Sequence, residues 1–568
     1  MTKLELLKKA KTLADLAMIL KYKRSALAYI IYTQSDAQKY NQFQIAKKTG
    51  GKRDICAPNE RLKLLQRKVD ELLQSCYKDI ITNNKNNQSD DKIAHGFKPN
   101  RSIITNATPH KNKRFVFNVD LLDFFGSFNF GRVRGYFITN KDFQLDPSIA
   151  TVLAQIACHN NSLPQGSPCS PVITNLITHI MDIRLASLAK KTSCRYTRYA
   201  DDLTFSTNKR IFPSEIATCS DESGHDWQVG YKLAKEIKKC GFEVNPKKTR
   251  LQYCDSRQDV TGLVVNKKLN VKSEYKKNTR AMVHRLTTTG DFYIGKNSAG
   301  EEIKGNMQQL EGRLGHINHI SPYKESLFEL ATFEKVNNLT FRHFLIYKNF
   351  YQNELPTIVC EGKTDNVYLR YAIQNLEKDY PTLIKTEAGK KSTLRIRLFN
   401  YNDSSTGKIT GLTGGVSFLK KFIDSYQKHI KLFKPIKPKS ALILLIDNDT
   451  GANAIVDFLK NKLKKPNARS DAFTHVSDNL YVVLTPLSLN GKSLTSTEIE
   501  DCFQDSTRNI KIGSKSFSIR DVDNDNYFGK HIFAIKIVRE QAHSIDFSGF
   551  KPLLERIEMA IKHYESIK

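Results

Sequence analysis

Leu62, Leu65, Val69, Leu72, Leu73 and Cys76 recur at three- and four-residue steps, the spacing of an amphipathic helix with one apolar stripe. Farther on, Phe115, Phe117, Val119 and Leu121 alternate with Val116, Asn118 and Asp120. That period predicts a strand with one oily face and turns Asp120 away from it. Ser170 as N-cap and Pro171 as first helical residue predict a helix start, with Ile173, Leu176, Ile177 and Ile180 as its stripe. Strand-like runs Arg195–Tyr199 and Leu203–Ser206 flank Ala200, Asp201 and Asp202. The polar run Thr82–Asp91 reads as an exposed loop. From Lys272 to about Phe350 the chain is basic and helix-like, and past Glu354–Pro356 the character changes. Short apolar strands (Thr357–Cys360, Ala441–Ile446, Leu480–Leu484) then alternate with helical stretches, the order of a parallel α/β sheet.

Composition narrows the partners. The 568 residues suggest three or four folding units at roughly 150 residues each. Lys plus Arg is 89 against 58 Asp plus Glu, a formal net charge of +31, and such a field attracts polyanions, nucleic acid above all. A hydrophobic share of 40% excludes wholesale disorder. The longest apolar runs are too short to span a bilayer, and the opening MTKLELLKKA lacks a signal peptide's apolar core. Ten scattered cysteines form no CxxC pair, which disfavours a zinc ribbon and predicts reduced thiols in the cytoplasm. Charge alone leaves a membrane surface open; the motifs decide against one.

Tyr199-Ala200-Asp201-Asp202 sets two acids at a hairpin tip, and adjacent carboxylates need a compensating cation. With Asp120 as a third, they can hold two Mg²⁺ for in-line phosphoryl transfer; a solvated turn is the bland alternative. Between these elements lies Pro164-Gln165-Gly166-Ser167-Pro168, followed by Ser170-Pro171. In this order the residues resemble the palm of a reverse transcriptase, and Gly241–Asn245 with Lys248 resembles its next motif. Lys52-Arg53-Asp54-Ile55 and Leu62-Lys63 with Gln66-Arg67 resemble its fingers. The match runs over roughly residues 40–270. It implies that Asp120, Asp201 and Asp202 hold two metals, and that Lys52, Arg53, Gln165, Gly166 and Lys248 meet the nucleotide. Phe125 matches the aromatic that excludes a ribose 2′-OH, although a core ring beside Phe124 and Phe128 fits the same spacing.

Asn106-Ala107-Thr108-Pro109-His110 reads NAxxH, and Val260-Thr261-Gly262 reads VTG. Both resemble signatures of retron reverse transcriptases, which implies that Asn106, His110, Val260, Thr261 and Gly262 meet RNA; His110 taken singly suits a structural role equally. The resemblance further implies a structured non-coding partner RNA (msr–msd) and priming from a guanosine 2′-OH. The product is a branched DNA (msDNA), built from dNTPs. Patches such as Tyr275-Lys276-Lys277 and Phe341-Arg342-His343 suit an RNA partner or ordinary surface.

Glu361-Gly362-Lys363-Thr364-Asp365 follows one apolar strand, with Thr364 as N-cap, and Asp447-Asn448-Asp449 follows another. Acids at the carboxyl ends of parallel strands line the crevice where such sheets bind ligands. Alternate positions turn Asp447 and Asp449 toward one Mg²⁺ that Glu361 completes; a capped helix and an acidic loop are the bland readings. The pairing looks like a Toprim domain. Gly414-Gly415, Glu500-Asp501 and Gly529-Lys530 with Phe533-Ala534 lean toward its OLD-type nuclease branch. That resemblance implies a phosphate-stabilising Lys530 and a second metal on Glu500 or Asp501.

The expected fold class is a multidomain α/β and α+β chain. A right-hand reverse transcriptase (fingers and palm 1–271, thumb and connector 272–349) precedes a Toprim α/β domain with a parallel sheet (350–568). The expected function is a retron polymerase fused to an antiviral nuclease effector. Three rivals stay open: a Toprim part that processes the DNA product, a group II-intron-like enzyme, and a non-catalytic RNA scaffold. The nuclease substrate and self-association also stay open.

Overall fold

A computed structural model of the chain describes residues 1–46, 51–83, 92–220, 226–297, 299–320, 336–387, 392–400, 405–434, 437–520 and 523–568. It has two compact units, one built on Met1–Ser273 with Ile320, the other on Glu274–His319 and the described residues of 323–568.

The first unit is organised by a four-stranded antiparallel sheet in the order Arg195–Tyr199, Asp202–Thr207, Phe115–Asp120, Arg250–Tyr253. The predicted amphipathic helix is Glu60–Asn83, and its apolar stripe is buried. Its buried Gln66 donates to the Tyr40 hydroxyl (3.0 Å) and the Ile156 carbonyl (2.9 Å). Thr82 and Asn83 of the polar run end that helix; its remaining residues, 84–91, lie outside the described ones. A hairpin pairs Tyr40–Ala46 with Lys52–Pro58.

Three local expectations are corrected. The helix Ser170–Lys191 begins at Ser170 itself, with Cys169 in the cap position. The Ser170 hydroxyl donates to the Pro164 carbonyl (3.0 Å) rather than capping. Ile180 is 57% exposed, because the buried stripe continues through Met181 and Leu185. The strand Phe115–Asp120 is covered on both faces: Val116 is fully buried, and Asn118 donates to Gln252 and to the Asp259 carbonyl. Ser170–Lys191 is also long and apolar enough, by length and composition, to cross a membrane, but 56% of its apolar window is buried inside the protein.

In the second unit a five-stranded sheet runs Arg397–Leu398, Thr357–Cys360, Leu442–Ile446, Leu480–Leu484, Thr474–Ser477. The first four strands are parallel, and the last is antiparallel to its neighbour. Its central strands are buried throughout, as continuous apolar runs in doubly covered sheets must be. Val359, Leu442, Leu444 and Ile446 face the helix Val416–Ile430; Ile358, Cys360, Ile443 and Leu445 face the helices Asp365–Asn375 and Lys551–Ile567.

Val283, Leu286, Phe292, Leu310 and Leu314 join the first of these cores. They come from the helices Ser273–Thr289 and Met307–Ile320 and the residue before the hairpin Tyr293–Lys296/Glu302–Lys304. The segment read as thumb thus shares apolar packing with the C-terminal sheet. The supposed patch Phe341-Arg342-His343 is not surface. Phe341 and Arg342 are buried, Arg342 donates to the Thr410 carbonyl (3.2 Å), and His343 meets His429. Tyr275 lies under Arg313 (5.0 Å).

Candidate functional site

Antiparallel register sets Asp120 directly opposite Asp202, and the Leu121 N–H donates to the Asp201 carbonyl (3.0 Å). The three acids therefore converge at one end of the sheet. The hairpin tip is held from below by Arg198, which is fully buried. Arg198 forks onto both oxygens of buried Asp182 (2.8 Å each) and donates to the Ala200 carbonyl (3.1 Å) and to Asn175 (3.1 Å). Removing one partner of such a pair typically costs about 3–5 kcal/mol. Gly96 lies so close that a Cβ there would stand 2.6 Å from the Ala200 nitrogen.

The acids carry their cost visibly. Asp201 is raised by burial and by the charge of Asp120. Asp202 is pushed up to about 6 by loss of water around it and then by Asp201 and Asp120; its residue is exposed by area, so solvent screening trims that shift. Asp120 is buried, and its Oδ2 takes a 2.7 Å ion pair from Lys248 while Asn245 donates to Oδ1 (3.2 Å). Burial alone would lower the Lys248 ammonium, yet the Asp120 bond and charge hold it above its usual range.

Around them, Cys56 of the Lys52–Pro58 strand donates to the Gln165 carbonyl (3.1 Å), so that strand lies along the Gln165-Gly166 loop. Gly166 has φ +117, and a Cβ would approach the Cys56 carbonyl to 3.2 Å, so the loop requires glycine. Lys52 and Arg53 are exposed, and the Arg53 charge reaches Asp201. Phe125 is half-buried, edge-on to Phe124 and Phe97, whereas Phe124 and Phe128 belong to the core. This leaves the Phe125 ring partly open, as a substrate-facing aromatic requires.

NAxxH and VTG are brought together: the helix Ile103–Ala107 packs on the strands Asp259–Val260 and Leu263–Val264, and Thr261 Oγ1 donates to the Ile103 carbonyl (3.4 Å). The expectation of RNA contacts is corrected for three of the five residues. Asn106, His110 and Val260 are fully buried, so no RNA reaches their side chains; Gly262 is exposed and Thr261 half-exposed. His110 lies 2.7 Å from Ser206 Oγ and 2.8 Å from Thr197 Oγ1, bracing the sheet from behind.

Burial pushes His110 down to about 3. A histidine held neutral this way stabilises the fold fully above its unfolded value near 6.5, and that contribution fades as pH falls toward 3. By pH 5 about 2 kcal/mol should be lost through this group. Denaturation midpoints taken between pH 7 and pH 5 should fall less steeply for His110→Gln than for the wild type. Equal slopes would refute that role.

In the second unit Glu361, Asp447 and Asp449 follow the carboxyl ends of adjacent parallel strands. The Asp447 N–H donates to Glu361 Oε2 (3.3 Å), Ile499 N–H to Asp447 Oδ1 (2.9 Å) and Ala452 N–H to Asp449 Oδ1 (3.1 Å). One oxygen of each carboxylate is thus fixed by a backbone N–H. Burial first, then the charges of Asp449 and Asp365, push Glu361 up to about 7. Asp447 is raised by burial, Asp365, Glu500 and Glu361.

Glu500 and Asp501 part ways. Glu500 is fully buried, pushed up to about 7 by burial, with Oε2 3.2 Å from Lys530. Asp501 is removed from the candidate set: Glu498 N–H and Arg508 occupy its two oxygens. Both lie in the short 3₁₀ turn Ile499–Cys502 but meet different partners, Glu500 meeting Lys530 and Asp501 meeting Arg508 and the Glu498 N–H. Burial would lower Lys530, but Glu500 and Glu498 (2.8 Å) raise it.

Sequence reasoning missed Asp365, which is buried and accepts from Gly362 N–H (2.8 Å), and Glu498. Thr364 precedes the helix in helical conformation, so its hydroxyl does not cap. Gly415 N–H donates to the Glu361 carbonyl (3.3 Å), which ties the Gly-Gly turn to this site. Among the described residues no three His, Cys, Asp or Glu side chains are gathered tightly enough to cage a cation. Like charges keep apart, and Lys248 and Lys530 act as counter-ions.

A family model described as reverse transcriptase (RNA-dependent DNA polymerase) matches residues 45–277. The chain is 34% identical to the retron Mx65 reverse transcriptase of Myxococcus xanthus, over 50% of this chain and 62% of that protein. It is 32% identical to the retron Ec86 reverse transcriptase of Escherichia coli, over 52% of this chain and 82% of that protein. A solved telomerase from Candida albicans, in complex with a fragment of telomeric RNA, matches at 10% identity and TM-score 0.31, over 70% of this chain and 67% of that one.

Proposed function

This chain belongs to the retron reverse transcriptases, and from that premise we propose that its first unit copies a structured non-coding RNA partner into a short DNA branched from a guanosine 2′-OH. The observation that carries the reading is the convergence of Asp120, Asp201 and Asp202 at one sheet end, beside Lys248 and the Gln165-Gly166 loop. The donor chemistry fits Mg²⁺: three carboxylates face one sheet end without caging it, and burial and mutual charge raise Asp201 and Asp202, a cost that a divalent cation relieves. When bound, two such ions lower the cost of ionising the primer hydroxyl and of the charge that develops on the phosphate.

The protein's own groups do the rest. Lys248 and Asn245 fix the rotamer of Asp120, so its carboxylate is aimed before substrate arrives. Arg53 and Lys52 supply charge for the triphosphate of an incoming dNTP, and the strand that carries them leans on the Gln165-Gly166 loop. The half-open Phe125 ring crowds a ribose 2′-OH and favours deoxynucleotides.

For the second unit the proposal is a Toprim-like, Mg²⁺-dependent nuclease acting as an antiviral effector, restrained by the branched product in the cytoplasm. Its support is that Glu361, Asp447 and Asp449 follow adjacent strand ends, with buried Glu500 contributing to the raised Asp447 carboxyl. Lys530 would stabilise a scissile phosphate once Glu500 and Glu498 yield it.

The test is to express the chain with its flanking RNA locus and resolve small nucleic acids on denaturing gels. A short DNA whose 5′ end maps to a 2′–5′ linkage on a guanosine is expected. A linear product primed from a 3′-OH would overturn the retron-type reaction.

A further inference from the structure

The C-terminal unit has a second recess, at the end of its sheet away from the acids. Glu361 follows the strand Thr357–Cys360, whereas Gln352–Leu355, which lead into that strand, line a groove of about 1230 Å³. That exceeds the roughly 300–1,000 Å³ of small-molecule sites.

Four cations, Lys348, Arg370, Arg397 and Lys439, line the groove against one carboxylate, Glu354. Lys348 is held by Glu311 (2.6 Å), and Arg397 donates to Asn349 (2.9 Å) while lying over the Phe399 ring. Arg370 and Lys439 are exposed, and among the described residues neither side chain makes a hydrogen bond or ion pair. Tyr371, partly exposed, also lines the groove. The second observation is Asn353, which lines the groove at only 4% exposure. Its Nδ2 donates to the Leu355 carbonyl (2.9 Å) and Thr357 Oγ1 (3.2 Å), but among the described residues its Oδ1 accepts from nothing. Buried acceptors without a donor are rare in folded proteins.

Uncompensated cations suit phosphates, a ring suits a base face, and a buried amide oxygen suits an exocyclic N–H. We propose that this groove grips a single-stranded segment of nucleic acid, away from the acid cluster of its own unit. It is a holding site: among the described residues Glu354 is the one carboxylate that lines it. RNA and DNA share this chemistry, and the retained RNA and its DNA copy are both available sources under the proposed function.

The test uses the full chain and short oligonucleotides, one RNA with 4-thiouridine and one DNA with 4-thiothymidine, photocrosslinked and mapped by peptide mass spectrometry. An adduct on the Tyr371 peptide is expected with at least one of them. Arg370→Glu with Lys439→Glu should raise the oligonucleotide concentration for half-maximal crosslinking about tenfold and flatten its salt slope by about 1.4, two single-strand phosphate contacts' worth. The milder Arg370→Gln with Lys439→Gln should move both readouts the same way, which guards against misfolding. An adduct with RNA alone assigns the groove to the retained RNA, with DNA alone to the copy; either supports it. Crosslinks scattered over surface lysines, or a Tyr371 yield untouched by both double variants, would overturn it. Branched-DNA synthesis is read separately, so a Tyr371 adduct without that synthesis sinks the polymerase reading alone.

Discussion

Asp201→Asn and Asp202→Asn proteins should fold and yet make no branched DNA, with Mg²⁺-dependent nucleotide incorporation down at least about 1,000-fold. Asparagine keeps the shape and hydrogen-bonding reach of aspartate, so the hairpin remains anchored through Arg198, Asp182 and the Ala200 carbonyl. What is lost is the negative charge that makes the sheet end a cation site. Stability should move the other way. Asp202 is pushed up to about 6 in the folded protein, above its unfolded value, so its contribution is favourable at low pH and lost as pH rises through about 6. Near pH 7.5 the charged side chain is therefore a burden, and the asparagine variant should melt no lower than wild type without added metal. Added Mg²⁺ should raise the wild-type Tm more than the variant's. Branched DNA made by Asp201→Asn would end the polymerase assignment.

The acids of this site were legible because strand periodicity set Asp120 at the end of an alternating run and two flanking strands set Asp201-Asp202 at a tip. The register that puts Asp120 opposite Asp202 was not legible, since it joins residues far apart in sequence through a pairing that only packing decides. Nor could a short motif tell inward from outward polar groups. Asn106 and His110 read as RNA contacts, but one is sealed beneath the sheet and the other braces it through Ser206 and Thr197. The same ambiguity misled at Phe341-Arg342-His343, where basic and aromatic residues belong to a core, and at Ile180, where a single helical step put the side chain into solvent.

In the C-terminal unit the buried strands stood out as continuous apolar runs, and the acids that follow them fell where parallel sheets expose ligand sites. The division between Glu500 and Asp501 depended on one 3₁₀ turn, and Asp365 was hidden inside a helix-start motif. The association of the helices after Glu274 with this sheet, through Val283, Leu310 and Leu314, had no local signal, because an amphipathic stripe does not name its partner.

Glu361→Gln or Asp447→Asn should separate the two proposed activities: branched DNA made at wild-type level, and Mg²⁺-dependent cleavage by the C-terminal unit lost by about 100-fold or more. Glutamine at 361 can still accept from the Asp447 N–H, and asparagine at 447 from the Ile499 N–H, so the strand ends stay in place and charge is what changes. Both carboxyls are raised, Glu361 by burial and the charges of Asp449 and Asp365, Asp447 by burial and the charges of Asp365, Glu500 and Glu361, so neutralising either relieves repulsion and should not lower Tm. Asp501→Asn is the control: its oxygens serve Arg508 and the Glu498 N–H, and cleavage should persist. The cellular readout is growth arrest when the RNA partner is removed, which Glu361→Gln should abolish. Arrest that survives both substitutions would remove the effector role. Branched DNA that accumulates at a greater length in Glu361→Gln would instead make the second unit a processor of the first unit's product, because the same carboxylates would then be trimming DNA rather than attacking the cell.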